Sequence, residues 1–319
     1  MRRILITGGA GFIGTNLVSH LLKKDPDLKI TILDNFFTGD YNRISKFDVN
    51  VVEGEVEDKN LVRSLVSNSD EVYHLACRNV IVSSSNPMKD LETNTIGTLN
   101  ILESCKEYNV NKLLYSSTSS IYGNALSLPV KEDARKEFLN FYSVSKFAGE
   151  AYAQCMAITK KLPVVVVRYS NVYGYYQNNL NPYCGAIGKF IDWAIENQDL
   201  TIFGDGQQTR DFTFIDDACT ATVKAMEYCQ PGRFEIFNVG TGVETSINDI
   251  ARIVINETGS NSLLTNVEPR DIDNVRRRVL NIDRTRTLLD WNPMSSIDKG
   301  IKETISWYRN QTEAGNHYE

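Results

Sequence analysis

The stretch Thr7-Gly8-Gly9-Ala10-Gly11-Phe12-Ile13-Gly14 decides the fold. It joins a short apolar run, Arg3–Thr7, to a helical pattern over Phe12–Lys24, and it spaces glycines at 8, 11 and 14. The first glycine permits a tight turn. The second lets a pyrophosphate approach the backbone, and the third lets helix and strand pack closely. The helix that follows turns free N–H groups and the positive end of its dipole toward those phosphates. Glycines alone are weak evidence, since turns are rich in them, so the neighbourhood carries the weight. Asp34 closes the next apolar run, Lys29–Leu33, 20 residues beyond Gly14. A carboxylate there accepts both ribose hydroxyls and repels a 2′-phosphate, which favours NAD over NADP. Glu55, after the run Val49–Gly54, either accepts from the adenine amino group or stays a solvated surface acid.

Further along, short apolar runs keep alternating with longer amphipathic ones. Glu71–Ala76 and Lys112–Ser116 read as strands, and Met88–Tyr108 and Tyr142–Lys160 as helices. Pro163–Arg168 carries four consecutive valines, which suits a strand covered on both faces. The alternation predicts an α/β fold with a doubly wound parallel sheet. After Arg168 the pattern loosens into a loop-like mixture at 171–185, then a helix near Ala186–Asn197 and strands at Leu200–Phe203 and Ile236–Val239. A helix follows at Ile247–Glu257. We expect a dinucleotide-binding domain over residues 1–170, with segments near 212–240 returning to it. Residues 171–319 would mostly form a smaller substrate-binding lobe.

Composition narrows the class. The chain is 42% apolar and 23% charged, so a core of ordinary size needs no disulfide or metal to hold it. A formal charge of −6 argues against nucleic-acid or membrane-surface partners, which would want a basic patch. No run approaches the length of a membrane span. Cysteines 77, 105, 155, 184, 219 and 229 are scattered without a CxxC pair, and His20, His74 and His317 make no ligand set, so no metal is expected. Only three apolar residues precede the glycine turn, too few for a signal-peptide core. The expected compartment is the cytoplasm.

Chemistry enters with Tyr142-Ser-Val-Ser-Lys146, which puts a phenol and an ammonium on one face of a helix. A free tyrosine, with a pKa of about 10, is a poor base at neutral pH. A neighbouring ammonium stabilises the phenolate. Upstream, the hydroxyl cluster Ser116-Ser117-Thr118-Ser119-Ser120 follows a strand, at the sheet edge where ligands bind in such folds. Thr118 either bridges a substrate hydroxyl and Tyr142 or belongs to a Ser-rich turn that hydrogen-bonds itself.

Together these residues resemble the signature of the extended short-chain dehydrogenase/reductase family, of the NAD-dependent epimerase/dehydratase type. The resemblance covers nearly the whole chain. It also includes His74-Leu-Ala76, Asn94-Thr-Ile-Gly97-Thr98, Arg168-Tyr-Ser-Asn171-Val-Tyr-Gly174, Gly204-Asp-Gly-Gln-Gln-Thr-Arg210-Asp-Phe and the segment Asn274–Trp291. Within the family the chain looks most like UDP-glucose and UDP-N-acetylglucosamine 4-epimerases. The resemblance implies a Rossmann domain holding NAD and a UDP-sugar substrate. Tyr142 would be the base, tuned by Lys146 and positioned by Thr118. The cofactor would touch Gly8, Gly11, Phe12, Ile13, Gly14, Asp34, Asn35, Glu55, Val56, Leu75, Ala76, Asn94, Ser116, Tyr142, Lys146 and Tyr169. Asn171, Asn179, Arg210 and Arg270 would grip the diphosphate and ribose, Phe203 would stack near the uracil, and Ser83 would touch the sugar. A homodimer is implied through the helices near 88–108 and 142–160.

Two departures matter. The 4,6-dehydratases of the family carry Thr-Asp-Glu where this chain has Thr118-Ser119-Ser120, and the decarboxylases keep the Glu; both acids are missing here. Arg278 falls where the 4-epimerases gate hexose size, and it either pairs with a C6 carboxylate or points to solvent. The expectation is a UDP-hexose 4-epimerase working through a transient 4-keto sugar. Its rivals on the same scaffold are a UDP-glucuronate epimerase or decarboxylase, a 2-epimerase and a 4-reductase. The rival from another class is a catalytically silent NAD-binding scaffold.

Overall fold

The computed structural model describes residues 2–177, 185–270 and 275–313. At its centre lies a seven-stranded sheet, parallel at every pairing. Its strands are β1 (Arg3–Thr7), β2 (Lys29–Asp34), β3 (Asn50–Glu53), β4 (Glu71–His74), β5 (Lys112–Thr118), β6 (Val164–Tyr169) and the strand Phe234–Val239. They run in the order Phe234–Val239, β6, β5, β4, β1, β2, β3. The winding reverses at β1, and in such sheets the ligand crevice opens beyond the strand ends at the reversal. Because β1 ends at Thr7 and β4 at His74, the loops starting at Gly8 and Leu75 form its two lips.

Side chains of a strand alternate between faces. Leu5, Leu33, Val72, Val164 and Val166 accordingly enter one apolar cluster, and Ile4, Ile6, Ile32, Val165 and Val167 the other. Helices Phe12–Lys24 and Ile215–Tyr228 cover the second cluster. Lys59–Val66, Thr98–Glu107 and Phe141–Lys160 cover the first. All four valines of β6 are buried, as a doubly covered strand requires.

The stretch read as one helix over 88–108 is divided. Pro87–Asp90 is a short α-helical turn, Leu91–Gly97 is π-helical, and Thr98–Glu107 is α-helical. Such wide turns gather at functional sites. Here the π segment carries Asn94, whose amide grips the loop after β4. Helices at Lys59–Val66, Ile215–Tyr228, Asp283–Leu289 and Ile297–Glu313 are additional to those the spacing predicts.

The remaining strands form three small pairs beside the sheet. Leu200–Phe203 pairs parallel with Leu264–Val267, Asn171–Tyr173 parallel with Phe212–Phe214, and Thr209–Arg210 antiparallel with Thr245–Ser246. Among the described residues, no helix is long and apolar enough to cross a membrane, and no group of His, Cys, Asp and Glu could hold a metal.

Candidate active site

The crevice beyond β1 and β4 is a cleft of about 430 Å³. Its floor is made by close backbone approach. Gly8 has φ +72°, and a Cβ on it would meet the Ala76 backbone nitrogen at 2.8 Å. A Cβ on Gly14 would lie 2.2 Å from the Gly8 carbonyl oxygen, so only glycine lets the helix pack this tightly on the turn. That helix starts at Phe12 with Gly11 as its N-cap and no side chain capping it, which leaves its first N–H groups for an anion. Asp34 stands at the lip, 8% exposed. Its carboxylate accepts from the Ala10 and Phe36 backbone N–H groups, at 2.9 Å each. Burial raises its pKa, and those N–H groups pull it back.

These features fit NAD: a glycine cradle and uncapped helix end for the pyrophosphate, and a carboxylate for the ribose. Gly11, Phe12, Ile13, Asn35, Val56, Leu75, Ser116 and Tyr169 also line the cleft, as read from the sequence. Glu55 lines it too, but its half-exposed carboxylate is paired with Lys89 at 2.9 Å, which holds its pKa below the usual carboxylate value.

The catalytic candidates converge at the other end. Thr118 is the last residue of β5; its hydroxyl accepts from the Ser120 N–H at 3.1 Å and stands beside the Tyr142 phenol, whose pKa it pulls down. Tyr142 lies in the first turn of the helix Phe141–Lys160, which Asn140 caps by accepting from the Ser143 N–H at 2.8 Å. Two turns on, Glu150 clamps that helix to the sheet. It meets Arg168 of β6 in a buried two-pronged pair at 2.6 and 2.9 Å and also accepts from Ser117 of β5. Breaking one side of such a pair costs several kcal/mol, on the order of 3–5. The clamp therefore fixes Tyr142 against Thr118.

Four site expectations are corrected. Lys146 does not line the cleft; it is 1% exposed, with its ammonium 4.4 Å from the centre of the Tyr115 ring. Burial lowers its pKa. The expected acidification of Tyr142 is not found: burial, and after it Cys77, push the phenol well above 10, against the opposing pull of Thr118. Asn94 does not line the cleft either. It lies behind the wall, where its amide oxygen accepts from the Arg78 N–H at 2.7 Å and its amide nitrogen donates to the Arg78 carbonyl at 3.0 Å. Ser83, expected at the sugar, is fully buried and bonded to the Asn79 carbonyl and the Asp90 carboxylate. Ser120 lines the substrate side instead. His74 is held between the Thr7 and Thr98 hydroxyls at 2.7 and 2.9 Å, and burial pulls its pKa down to about 3.

A second pocket, of about 300 Å³, adjoins the cleft and shares Asn171, Val172, Gln177 and Gly185 with it. It collects Phe203, Arg210, Arg270 and Arg278 from three separated segments, together with Lys189. The Arg270 guanidinium stacks on Phe203, 4.3 Å from the ring centre. Arg276 and Arg277 face outward and are paired two-pronged with Asp205 and Glu244. Leu280 N–H bonds buried Asp211 at 3.3 Å. These anchors hold Arg278 inward. Among the described residues its Nε is buried and meets no partner, and burial, reinforced by Arg210, brings its pKa down to about 9. Asn179 lies outside the described residues. Cys77, Arg78 and Gln177 line the site without having been singled out, because they sit in loops whose placement only the folded chain reveals.

The parallel sheet, the glycine cradle and the Thr118–Tyr142 pair define an NAD-binding enzyme fold of the extended short-chain type. The chain matches the NAD dependent epimerase/dehydratase family over residues 4–240, and it belongs to that family. It is 34% identical over 325 residues to the UDP-N-acetyl-alpha-D-glucosaminuronate decarboxylase of Bacillus cytotoxicus, covering 97% of this chain and 98% of that one. It is 32% identical over 325 residues to human dTDP-D-glucose 4,6-dehydratase, covering 97% and 90%. The crystal structure of a UDP-glucose 4-epimerase from Thermotoga maritima with UDP-glucose superposes with a TM-score of 0.92 at 31% identity, covering 97% and 99%. Three different reactions on nucleotide sugars thus stand at nearly equal distance. NAD is the cofactor, and all three relatives are named for nucleotide-sugar substrates.

Proposed function

We propose that the protein is an isomerase, a 4-epimerase of UDP-hexoses. The observation that carries this reading is where carboxylates are absent. Asp34, Glu55 and Glu57 line the cofactor cleft at its adenine end, and among the described residues no carboxylate lines the substrate pocket. Eliminating water from a sugar needs an acid and a base beside the carbons concerned. Epimerisation needs one base at a single hydroxyl, and Tyr142 with Thr118 supplies it.

When bound, NAD supplies a hydride acceptor, later a donor, and a positive charge that favours a phenolate. Gly8, Gly11, Gly14 and Asp34 would hold it. Tyr142 takes the proton from the 4-hydroxyl and later returns it, and Thr118 donates to the Tyr142 oxygen throughout. Arg210 and Arg270 hold the diphosphate with planar, permanently charged forks, so the 4-keto sugar can turn over without leaving.

Arg278 favours a second reading on the same site, a C6-carboxylated hexose such as UDP-glucuronate. A buried guanidinium with an unpartnered Nε is costly unless a ligand anion meets it. Incubating the enzyme with UDP-glucose and UDP-glucuronate, and separating the products, tests both. Galacto-configured product with no free NADH and no carbon dioxide is expected. Loss of water or carbon dioxide instead would refute the epimerase.

We also propose a homodimer. Met88 and Leu91, with Phe141, Val144 and Tyr152, leave exposed apolar surface on two contacting helical segments. A monomeric mass in solution would refute it. A reducing cytoplasm is in keeping with free thiols at Cys77, Cys105, Cys155, Cys219 and Cys229.

A further inference from the structure

Two side chains meet across the cofactor cleft. Arg78, in the loop after β4, sets its guanidinium 4.2 Å from the centre of the Phe37 ring, in the loop after β2. Both residues line the cleft. In the sheet, β1 lies between β4 and β2, so a contact joining those loops passes over the end of β1, where the glycine turn begins. It bridges two strand spacings, about 10 Å. Phe37 is half exposed and Arg78 only 6% exposed, so the ring is the outer member of the pair.

Each partner is held by its own rim. The Phe37 N–H donates to the Asn35 side chain at 3.1 Å. The same loop closes back on Asp34, since a Cβ on Gly39 would stand 2.8 Å from an Asp34 carboxylate oxygen. Phe37 thus rides on the turn that carries the ribose carboxylate. On the other rim, Asn94 takes both the N–H and the carbonyl of Arg78, and its amide also donates to Ser145 of the catalytic helix at 3.2 Å. The Arg78 Nε donates to the Thr93 hydroxyl at 3.3 Å, and one arm of its fork lies 3.9 Å from the Glu55 carboxylate. These anchors already fix the arginine. What the ring adds is a bond between two loops that the sheet keeps apart. We propose that Phe37 and Arg78 form a latch over bound NAD, whose opening limits how fast the dinucleotide leaves. One consequence rests on the epimerase reading. The hydride taken from C4 must return to the same sugar, so a weak latch would let reduced dinucleotide escape and strand the keto sugar.

The test loads the enzyme with radiolabelled NAD and chases it with excess unlabelled NAD. Wild type is compared with Phe37→Leu, Arg78→Gln, the double variant and Phe37→Tyr. Losing one partly desolvated cation–π contact should speed release of label by about 5- to 30-fold in either single variant. The double variant should release no faster than the faster single one, because a shared contact is lost only once. Phe37→Tyr keeps the ring and should match wild type, and the Kd for UDP should not move. Phe37→Leu, freed of unbound NAD and given UDP-glucose, should lose activity sooner than wild type and regain it when NAD is added. Equal release from wild type and Phe37→Leu, effects that multiply in the double variant, or Phe37→Tyr as leaky as Phe37→Leu would overturn the latch. Should Arg78→Gln fail to fold, Phe37→Leu against Phe37→Tyr decides it. Wild type without turnover would defeat the epimerase reading alone, and the release rates would still judge the latch.

Discussion

The two ends of the site are made of different material. The cofactor end is backbone: a glycine turn, an uncapped helix start, and a carboxylate pinned by two N–H groups. The substrate end is long cationic side chains brought from distant segments, Arg210, Arg270 and Arg278 among them. Backbone sites tolerate almost no substitution, because the peptide itself is the ligand contact. Side-chain sites can be altered one group at a time, which leaves the fold standing while the substrate changes. That difference explains how one family can hold a decarboxylase, a dehydratase and an epimerase at similar identity to this chain.

The sharpest way to break the comparison is at Gly14. A Val there places its Cβ 2.2 Å from the Gly8 carbonyl and 2.6 Å from the Gly9 Cα, both backbone atoms that cannot swing aside. We expect Gly14→Val to cost at least about 3 kcal/mol and to abolish NAD retention. Folded, NAD-loaded Gly14→Val protein in a thermal melt would show that the backbone contact is softer than argued.

Where the two ends meet, chemistry separates from binding. Tyr142→Phe keeps the ring and removes only the hydroxyl, so fold and NAD content should persist. Turnover should fall by about 10²- to 10⁴-fold, the usual share of a general base. Because burial raises the wild-type phenol's pKa, residual protonation should make the wild-type rate climb with pH above neutrality. A flat pH profile, or a Phe variant of normal rate, would remove Tyr142 from the mechanism.

The same division marks what the sequence disclosed. Glycines 8, 11 and 14, Asp34, Thr118 and Tyr142 have fixed spacings within one strand–helix unit or at one helix start, so they are legible before folding. Lys146 shares the readable face of its helix, yet the spacing says nothing of the Tyr115 ring that takes its ammonium. Asn94 and Ser83 look like ligand residues because polar groups near a crevice usually are. Only the packed chain shows them spent on the Arg78 backbone and on Asp90. The helix Ile215–Tyr228 escapes periodicity because alanines, threonines and Cys219 fill much of its buried face, giving no strong apolar stripe.

At the substrate end, Arg278→Met separates affinity from stability. Removing a buried guanidinium whose Nε meets no partner among the described residues should leave the melting temperature unchanged or raise it. KM for a C6-carboxylated hexose should rise by about 10- to 100-fold, the value of a charged hydrogen bond, with UDP-glucose little affected. Equal KM changes on both sugars would assign Arg278 to the diphosphate instead.

The smallest effect lies under the cofactor end, at His74. Its imidazole has a folded pKa of about 3, against an ordinary value near 6.5, because burial excludes the charged form. Between those two values the unfolded chain binds a proton that the folded chain refuses, so this group withdraws stability as pH falls through the window. The slope is at most about 1.4 kcal/mol per pH unit. His74→Asn forfeits the bonds to Thr7 and Thr98 at neutral pH and so starts less stable, but it lacks the titration. Its deficit relative to wild type should therefore shrink as urea melts are run from pH 7 toward pH 4. A deficit that stays constant would mean that the imidazole titrates alike in the folded and unfolded chain, and the buried, hydroxyl-bridged neutral ring would have to be abandoned.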